Sequence, residues 1–318
     1  MIIQNLKVFL QNIWKNLLIV NAILETQNYF DIIFIQESPW SKIHKIPSLV
    51  DCKGEALISM THHPNWLLFT RIPSKRADSS RVIAYINIHL SSFWFLLCND
   101  IISHRDIILI SFTNNHVCHY IINIYSDASH SALKYLKNTE VNIDNILLMT
   151  SDFNIRDSLW DSSFPYHSSI SDDLIIIADL FNLALSMPTN SGPTRFSDTA
   201  GEANLVIDLM FLCYGSSELN WHTIHPESSL SSNHAPLSID ISIDEEVICT
   251  SKLLILQKSE QETAFVQQVI SNFKNIDISN ITNMKKLENI VNQLKAIIDQ
   301  AWTKNAKKSR ISKHSKQW

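Results

Sequence analysis

The stretch Asn145–Asp161, NILLMTSDFNIRDSLWD, decides how the rest of the chain is read. Its apolar run, Ile146-Leu147-Leu148-Met149, gives way to Ser151-Asp152-Phe153-Asn154, which sets a carboxylate and an amide two residues apart. A short apolar run closed by turn-forming residues reads as a buried strand reaching the rim of its sheet, where α/β proteins bind ligands. On an extended chain, spacing two points Asp152 and Asn154 to one face. The same residue types also make helix caps and Asx turns, so the stretch taken alone leaves both readings open.

Three further apolar runs carry a polar residue at a boundary. FDIIFIQESPW delivers Glu37, LVIDLMFL carries Asp208, and SSNHAPLSI presents His234 just ahead of a strand-like run. Each has a plainer reading: a strand terminus for Glu37, a capped corner for Asp208, a surface turn for His234. Their joint occurrence argues for a site. Cleaving a phosphodiester takes carboxylates to hold a hard cation, a group to activate or orient water, and donors to stabilise the phosphorane. Glu37, Asp152, Asn154, Asp208 and His234 could supply that set, and they are expected to share one pocket although about 200 residues separate the first from the last.

Composition narrows the class. A chain of 318 residues with 45% hydrophobic content has room for one large domain and an appendage. Four glycines are too few for Gly-rich phosphate loops; neither GxGxxG nor GxxxxGK[ST] can be written, so no nucleotide cofactor is expected. The five cysteines, Cys52, Cys98, Cys118, Cys213 and Cys249, are odd in number and widely spaced, as expected of reduced, buried thiols in a nuclear or cytoplasmic protein. The opening MIIQNLKVFLQNIWKNLLIV is interrupted by Gln, Asn or Lys every few residues and has no signal-peptide core. No run reaches the length of a membrane span, so no membrane partner is expected. A net charge of −5 argues against nonspecific coating of nucleic acid and leaves room for a local basic groove. His116, Cys118 and His119 superficially suggest zinc, but alternate strand residues point to opposite faces and no second ligand pair follows.

From residue 6 to about 245 the chain alternates strand-like runs with polar corners, and helical stretches fall at about residues 14–29, 129–141 and 172–185. Many β-branched runs with a few helices suggest two packed sheets flanked by helices, α+β or α/β. Beyond residue 250 the apolar residues follow a helical period, as in Leu287, Ile290, Val291, Leu294, Ile297, Ile298 and Trp302. The expected division is a domain over 1–248 and a helical linker over 249–318. The linker ends in a basic tail containing Lys304, Lys307, Lys308, Arg310, Lys313 and Lys316, a solvated segment or a nucleic-acid contact.

In order, these motifs resemble those of the endonuclease/exonuclease/phosphatase superfamily, the DNase-I-like fold, in which N, QE, Y, GDFN, D and SDH recur. Here they stand as Asn12, Gln36-Glu37, Tyr125, Ser151-Asp152-Phe153-Asn154, Asp208 and Ser232-Asn233-His234, over residues 6 to about 245. FDIIFIQE, HSALKYLK, DFNIRDSLWD and SDTAGEANLVIDLMFL are more closely similar to the endonuclease domain of fungal LINE-type (non-LTR) retrotransposon polyproteins. In those elements a reverse transcriptase follows the nuclease, and these residues do not include one.

The resemblance implies an α+β sandwich of two packed, mainly antiparallel sheets flanked by helices, with the C-terminal helical appendage outside it. It implies a Mg²⁺- or Mn²⁺-dependent endonuclease that nicks DNA and leaves a 3′-hydroxyl for primed reverse transcription. By the same resemblance Glu37, with Asn12 and Asn233, serves the metal, and Asn154 and Asn12 hold metal, water or the scissile phosphate. Asp152 orients or deprotonates water, His234 contacts phosphate or moves a proton, Asp208 fixes the His234 ring, and Tyr125 donates to the phosphate.

Three positions depart from the pattern. Ser151 stands where Gly is expected, which predicts strain; Asn233 stands where Asp is expected, which removes a charge; Trp14 stands where a small acidic or amide residue is common. Restoring the charge with Asn233→Asp is expected to raise activity. The departures keep a catalytically dead nucleic-acid-binding remnant as an alternative, beside a phosphatase acting on small phosphoesters.

Overall fold

The computed structural model describes residues 3, 5–40, 44–47, 56–59, 63–71, 79–139, 141, 143–190, 192–213, 221–243, 253–254, 260–274, 284–305 and 307–308. Its order is β1 (Asn5–Asn12), α1 (Leu17–Thr26), β2 (Ile32–Gln36), β3 (His44–Pro47), β4 (Ala56–Ser59), β5 (Trp66–Phe69), β6 (Val82–Asn87), β7 (Leu96–Leu97), β8 (Ile107–Asn114) and β9 (Val117–Tyr125). Then come α2 (Ser131–Asn138), β10 (Ile146–Asp152), α3 (Ser169–Leu180), β11 (Leu183–Leu185), β12 (Asp208–Cys213), β13 (Thr223–Ile224) and β14 (Leu237–Ser242). Chain contacts divide the protein into two compact units, Met1–Cys249 and Thr250–Trp318.

Two six-stranded sheets build the first unit, ordered β13-β14-β1-β2-β6-β5 and β11-β12-β10-β9-β8-β7. Each has one parallel pair at its centre, β1 with β2 and β10 with β9, and antiparallel pairs on either side. This is the DNase-I-like sandwich flanked by helices. The parallel pairs explain the continuous apolar runs, because such strands are covered on both faces. Along β1, Leu6, Val8 and Leu10 enter the core shared by the two sheets, while Phe9 joins Ile33, Ile35, Ile83 and Tyr85 beneath Ile19, Val20, Ile23 and Leu24 of α1. Burying each such aliphatic side chain contributes about 1.5–3 kcal/mol.

Two polar ties cross this core. Gln36 Nε2 donates to Asn123 Oδ1 at 2.8 Å, and Asn123 Nδ2 donates to the Ile35 carbonyl at 3.5 Å. Ile3 and Asn114 exchange backbone-to-amide bonds in both directions at 3.0 Å. A buried polar group left without a partner costs free energy, so these reciprocal pairs fix which strand faces which.

Several boundaries differ from those predicted. The helix expected over 172–185 begins at Ser169, capped by the Ser168 side chain accepting from the Ile170 amide, and ends at Leu180. Asn182 takes a left-handed φ of 59° that stops the helix, and Leu183–Leu185 pairs with β12 instead. α1 starts three residues later than residue 14 because Trp14 and Lys15 are left-handed and Asn16 supplies the cap. Cys98 and Cys213 are buried, but Cys118 is exposed beside the β8–β9 turn, contrary to the expectation for all five; Cys52 and Cys249 lie outside the described residues.

In the second unit, α4 (Glu260–Phe273) and α5 (Met284–Asn305) pack together, with Phe265 edge-on to Trp302 at 5.8 Å, Ala301 buried, and Asn305 Nδ2 donating to Gln268 Oε1 at 2.9 Å. A short pairing joins β15 (Leu253–Leu254) to β16 (Lys307–Lys308). Arg310, Lys313 and Lys316 of the basic tail lie outside the described residues. No described helix is long and apolar enough to cross a membrane.

Candidate active site

The C-terminal ends of the two parallel strand pairs meet, and there the polar residues gather. Asn12 and Gln36 are register partners at the ends of β1 and β2; Asp152 pairs with Tyr125 of β9 on one side and with Asp208 of β12 on the other. A cavity of about 380 Å³ opens at this junction, lined by Glu37, Tyr125, Asp152, Asn154, Asn233 and His234, together with Trp14, Ala128, Arg195 and Asp198. Asn12 and Asp208 are buried and bonded to residues of that lining.

His234 is held from below. Its Nδ1 lies 3.0 and 3.2 Å from the Asp208 carboxylate oxygens, and its Nε2 lies 3.9 Å from Asp152 Oδ2. The ring is buried, which favours the neutral form, yet the Asp208 charge and hydrogen bond, followed by the charge of Asp152, push its pKa up to about 9. Asp208 is fixed in turn by Thr194 Oγ1, which accepts from the Ile207 and Asp208 amides at 3.0 and 2.9 Å. Ser232 Oγ donates to the Asn12 carbonyl at 2.7 Å and accepts from the His234 amide at 3.1 Å, tying the histidine loop to β1.

Asp152 is moved in the direction opposite to an ordinary surface carboxylate. Burial, and next the neighbouring Asp208 charge, raise its pKa; His234, the Asn12 amide and the Asn154 backbone N–H oppose that rise. Asn154, left-handed at φ 50°, donates its backbone N–H to Asp152 Oδ1 at 3.1 Å and its Nδ2 to the Ser126 carbonyl at 2.8 Å. Burial also raises the Tyr125 hydroxyl, and the charges of Glu37 and Asp152 add to it, so Tyr125 stays protonated and hydrogen-bonded to Glu37.

Two residues expected to serve the metal make hydrogen bonds within the site. Asn12 Nδ2 donates to Glu37 Oε1 at 3.2 Å and to Asp152 Oδ2 at 2.8 Å, while its Oδ1 accepts from the Trp14 amide at 2.9 Å. Both ends of the amide are engaged, so Asn12 braces the two carboxylates. Asn233 turns its Nδ2 to Asp198 Oδ2 at 3.1 Å. Ser151 corrects an expectation. It sits in ordinary strand conformation within β10, and the left-handed residues fall elsewhere in the site, Glu37 at φ 45° and Asn154. The cost at Ser151 is instead a buried Oγ with no hydrogen-bond partner.

Sequence reasoning missed Lys15, Arg81, Arg195 and Asp198. Lys15 Nζ lies 3.6 Å from Glu37 Oε2. Arg81 stacks over the Tyr125 ring at 4.9 Å while pairing with Asp106 and, at 2.8 Å, with Asp127. Arg195 and Asp198 reach the cavity because Arg195 bridges both Leu205 and His234. Asp198 lies in the SDTAGEANLVIDLMFL run but was not singled out there, and Lys15, Arg81 and Arg195 are brought in by pairing with distant segments. Among the described residues, Asp152, Asp208 and His234 bring ligand atoms within 4.8 Å of one another, with the Glu37 carboxylate bonded beside them through Asn12.

No protein-family model and no curated protein sequence matches the chain. Among solved structures it is similar to the endonuclease domain of TRAS1, a telomere-specific non-LTR retrotransposon, with 15% identity and a TM-score of 0.52 over 76% of this chain and 100% of that one. It is also similar to the AP endonuclease LMAP of Leishmania major, with 11% identity and a TM-score of 0.53 over 76% of this chain and 89% of that one. At these identities the likeness establishes the fold.

Proposed function

We propose that this chain is a divalent-metal-dependent phosphodiesterase that nicks DNA, of the kind found in non-LTR retrotransposons. The observation that carries the proposal is the buried Asp208–His234–Asp152 chain joined through Asn12 to Glu37 at the meeting point of the two sheets. The likeness in fold to a retrotransposon endonuclease domain and an AP endonuclease supports it.

The residues present fit a Mg²⁺ or Mn²⁺ ion. Glu37 and Asp152 offer hard oxygen donors, both oriented by the Asn12 amide. Burial and the nearby Asp208 disfavour the charge on Asp152, a cost that a cation would offset. When bound, the ion would polarise a phosphoryl oxygen and offset charge developing there.

The protein's own groups divide the remaining work. Asp208 keeps His234 protonated at neutral pH, so the imidazolium Nε2 is the donor that meets a phosphate oxygen. Asp152, braced by the Asn12 amide and the Asn154 backbone N–H, orients an attacking water. The Tyr125 hydroxyl donates to the phosphate once released from Glu37, and Asn154 positions the loop on which Asp152 depends.

Relaxation of supercoiled plasmid with Mg²⁺, with Mn²⁺ and with EDTA tests the proposal. Cation-dependent nicking that Asp152→Ala abolishes is the expected result. DNA binding without nicking would favour the dead-remnant alternative, to which Asn233 and Trp14 lend weight, and phosphate release from small phosphomonoesters without nicking would favour the phosphatase.

A further inference from the structure

Trp14 is 65% exposed, which for the largest apolar side chain needs a reason. It is not stranded on a mobile tail. Its amide donates to Asn12 Oδ1 at 2.9 Å, the next residue's amide donates to the Glu37 carbonyl at 2.7 Å, and the following one donates to the Ile13 carbonyl at 3.0 Å. These bonds hold two successive non-glycine residues, Trp14 at φ 47° and Lys15 at φ 62°, in the left-handed region. Bulky side chains rarely adopt that region, and such conformations persist at sites where the surroundings enforce them. No ring of the described residues packs against the indole.

The place where it is held is informative. Trp14 lines the same cavity as Glu37, Asp152 and His234, and its backbone is bonded to the amide that braces two of those carboxylates. Beside it Lys15 supplies a cation, and four residues on Leu18, 77% exposed, adds apolar surface. A flat, exposed indole carried by a fixed backbone at the lip of a phosphate-handling cavity, with a cation adjacent, has the chemistry that receives a nucleobase while the backbone phosphate enters the cavity. A small phosphoester without a base would gain nothing from it.

We propose that Trp14 is a stacking platform for a nucleobase next to the scissile phosphate, and that through it the site selects polynucleotide over small phosphoesters. The inference rests on the phosphodiesterase reading given above and adds the residue by which the site recognises a base. Trp14 contributes to binding and specificity; the bond-breaking groups are those already described.

The test is binding by the full chain, in EDTA at low salt, of two fluorescent probes of equal length. One is an oligodeoxythymidylate; the other is an abasic oligomer with the same phosphates and no bases. Trp14→Ala is expected to weaken binding of the base-bearing probe by about 5- to 150-fold, the range that removal of one aromatic–base stack gives, and to leave the abasic probe unchanged. Trp14→Phe should retain most of the affinity. Trp14→Gly should bind like Trp14→Ala yet unfold at the same or a higher temperature, because glycine accepts the left-handed backbone. Equal binding of the base-bearing probe by wild type and Trp14→Ala would overturn the proposal, as would equal losses on both probes. If the wild type binds neither probe, the DNA reading falls and the stacking platform with it.

Discussion

Asp208→Asn isolates the charge that governs His234. The substitution keeps side-chain shape and an acceptor oxygen, but removes the anion lying 3.0 Å from Nδ1 in a buried setting. In the wild type His234 is raised from 6.5 to about 9. A group raised on folding contributes stability that is fully present below its unfolded pKa and is lost as pH climbs through its folded one. Between those two pKa values the whole effect is worth about 3 kcal/mol, and about 2 kcal/mol of it disappears between pH 7 and 9. For a unit of this size that is a fall of roughly 4–8 °C in midpoint temperature. His104, His119, His130 and His222 are all lowered by burial and act below 6.5, and Cys98 is raised above its ordinary thiol value and acts above 9. His167, raised by its hydrogen bonds to Asp157 and Asp172, and Asp152, raised by burial, bear on the same window, so the difference between wild type and variant, both carrying His167→Gln, is the quantity to read. With Asp208→Asn, burial alone bears on His234 from that side, so its pKa should fall and the decline between pH 7 and 9 should flatten. Thermal unfolding in EDTA at several pH values reads this directly, and NMR titration of the His234 ring reads it independently. Nicking at neutral pH should fall about 10²- to 10⁴-fold, as expected when a proton-carrying group loses its state. An unchanged His234 titration in the variant, or a wild type that gains stability from pH 7 to 9, would refute the reasoning.

Other perturbations separate the supporting parts. Arg81→Met should destabilise the first unit in urea unfolding, by no more than about 3–5 kcal/mol, because it removes the nearest cation of the buried Asp106 and of Asp127 while Arg105 and His104 stay within 4 Å of Asp106; adding Asp106→Asn should recover part of the loss. Ser151→Ala removes a buried Oγ that has no partner, so the unfolding midpoint should stay level or rise, by up to about 1–2 kcal/mol in stability. Asn233→Asp would set a carboxylate against Asp198, so the roughly tenfold gain in nicking expected from restoring the charge should appear only when Asp198→Asn accompanies it. A chain ending at Cys249 should unfold in one cooperative step by calorimetry, since Met1–Cys249 forms a compact unit.

What could be read from sequence follows from double-sided burial. β2 and β10 lie inside their sheets, so each is an unbroken apolar run whose first polar residues mark the rim, and that rim is where Glu37 and Asp152 stand. Edge strands carry no such signal. Trp66–Phe69 and Leu183–Leu185 border their sheets, and the second falls within the stretch 172–185 whose spacing predicts helix. The supporting cations were hidden for another reason. Arg81 meets Asp106 and Asp127 only because three separate corners converge, and Arg195 reaches His234 through an isolated bridge. Spacing along the chain records periodicity within an element, whereas such contacts depend on how elements close on one another. Asn12 shows the difference within one residue: its place at the end of β1 was legible, but its use as a brace depends on Glu37 and Asp152 arriving from 25 and 140 positions away.

The scarcity of glycine bears on how this site is held in shape. Three strands that feed it, β1, β2 and β10, are each followed within three residues by a left-handed non-glycine residue: Trp14 and Lys15, Glu37, and Asn154. Each costs about 1 kcal/mol or more relative to a residue free to adopt that region, Asn the least. Glycine would relieve the cost at every one of these positions, and would also delete the side chain that lines or flanks the cavity. At Glu37 the left-handed turn and the carboxylate are inseparable: the Glu37 carbonyl accepts from Lys15 while its Oε1 accepts from Asn12, so one residue's backbone and side chain both fasten β2 to the end of β1. Four of the twelve left-handed non-glycine residues among those described therefore fall where strands from both sheets converge, and the hydrogen bonds that enforce them are those that orient Glu37 and Asp152. Stabilising the fold and keeping the carboxylates aimed at one point are opposed demands at these four positions, and this chain has the side chains that favour the second.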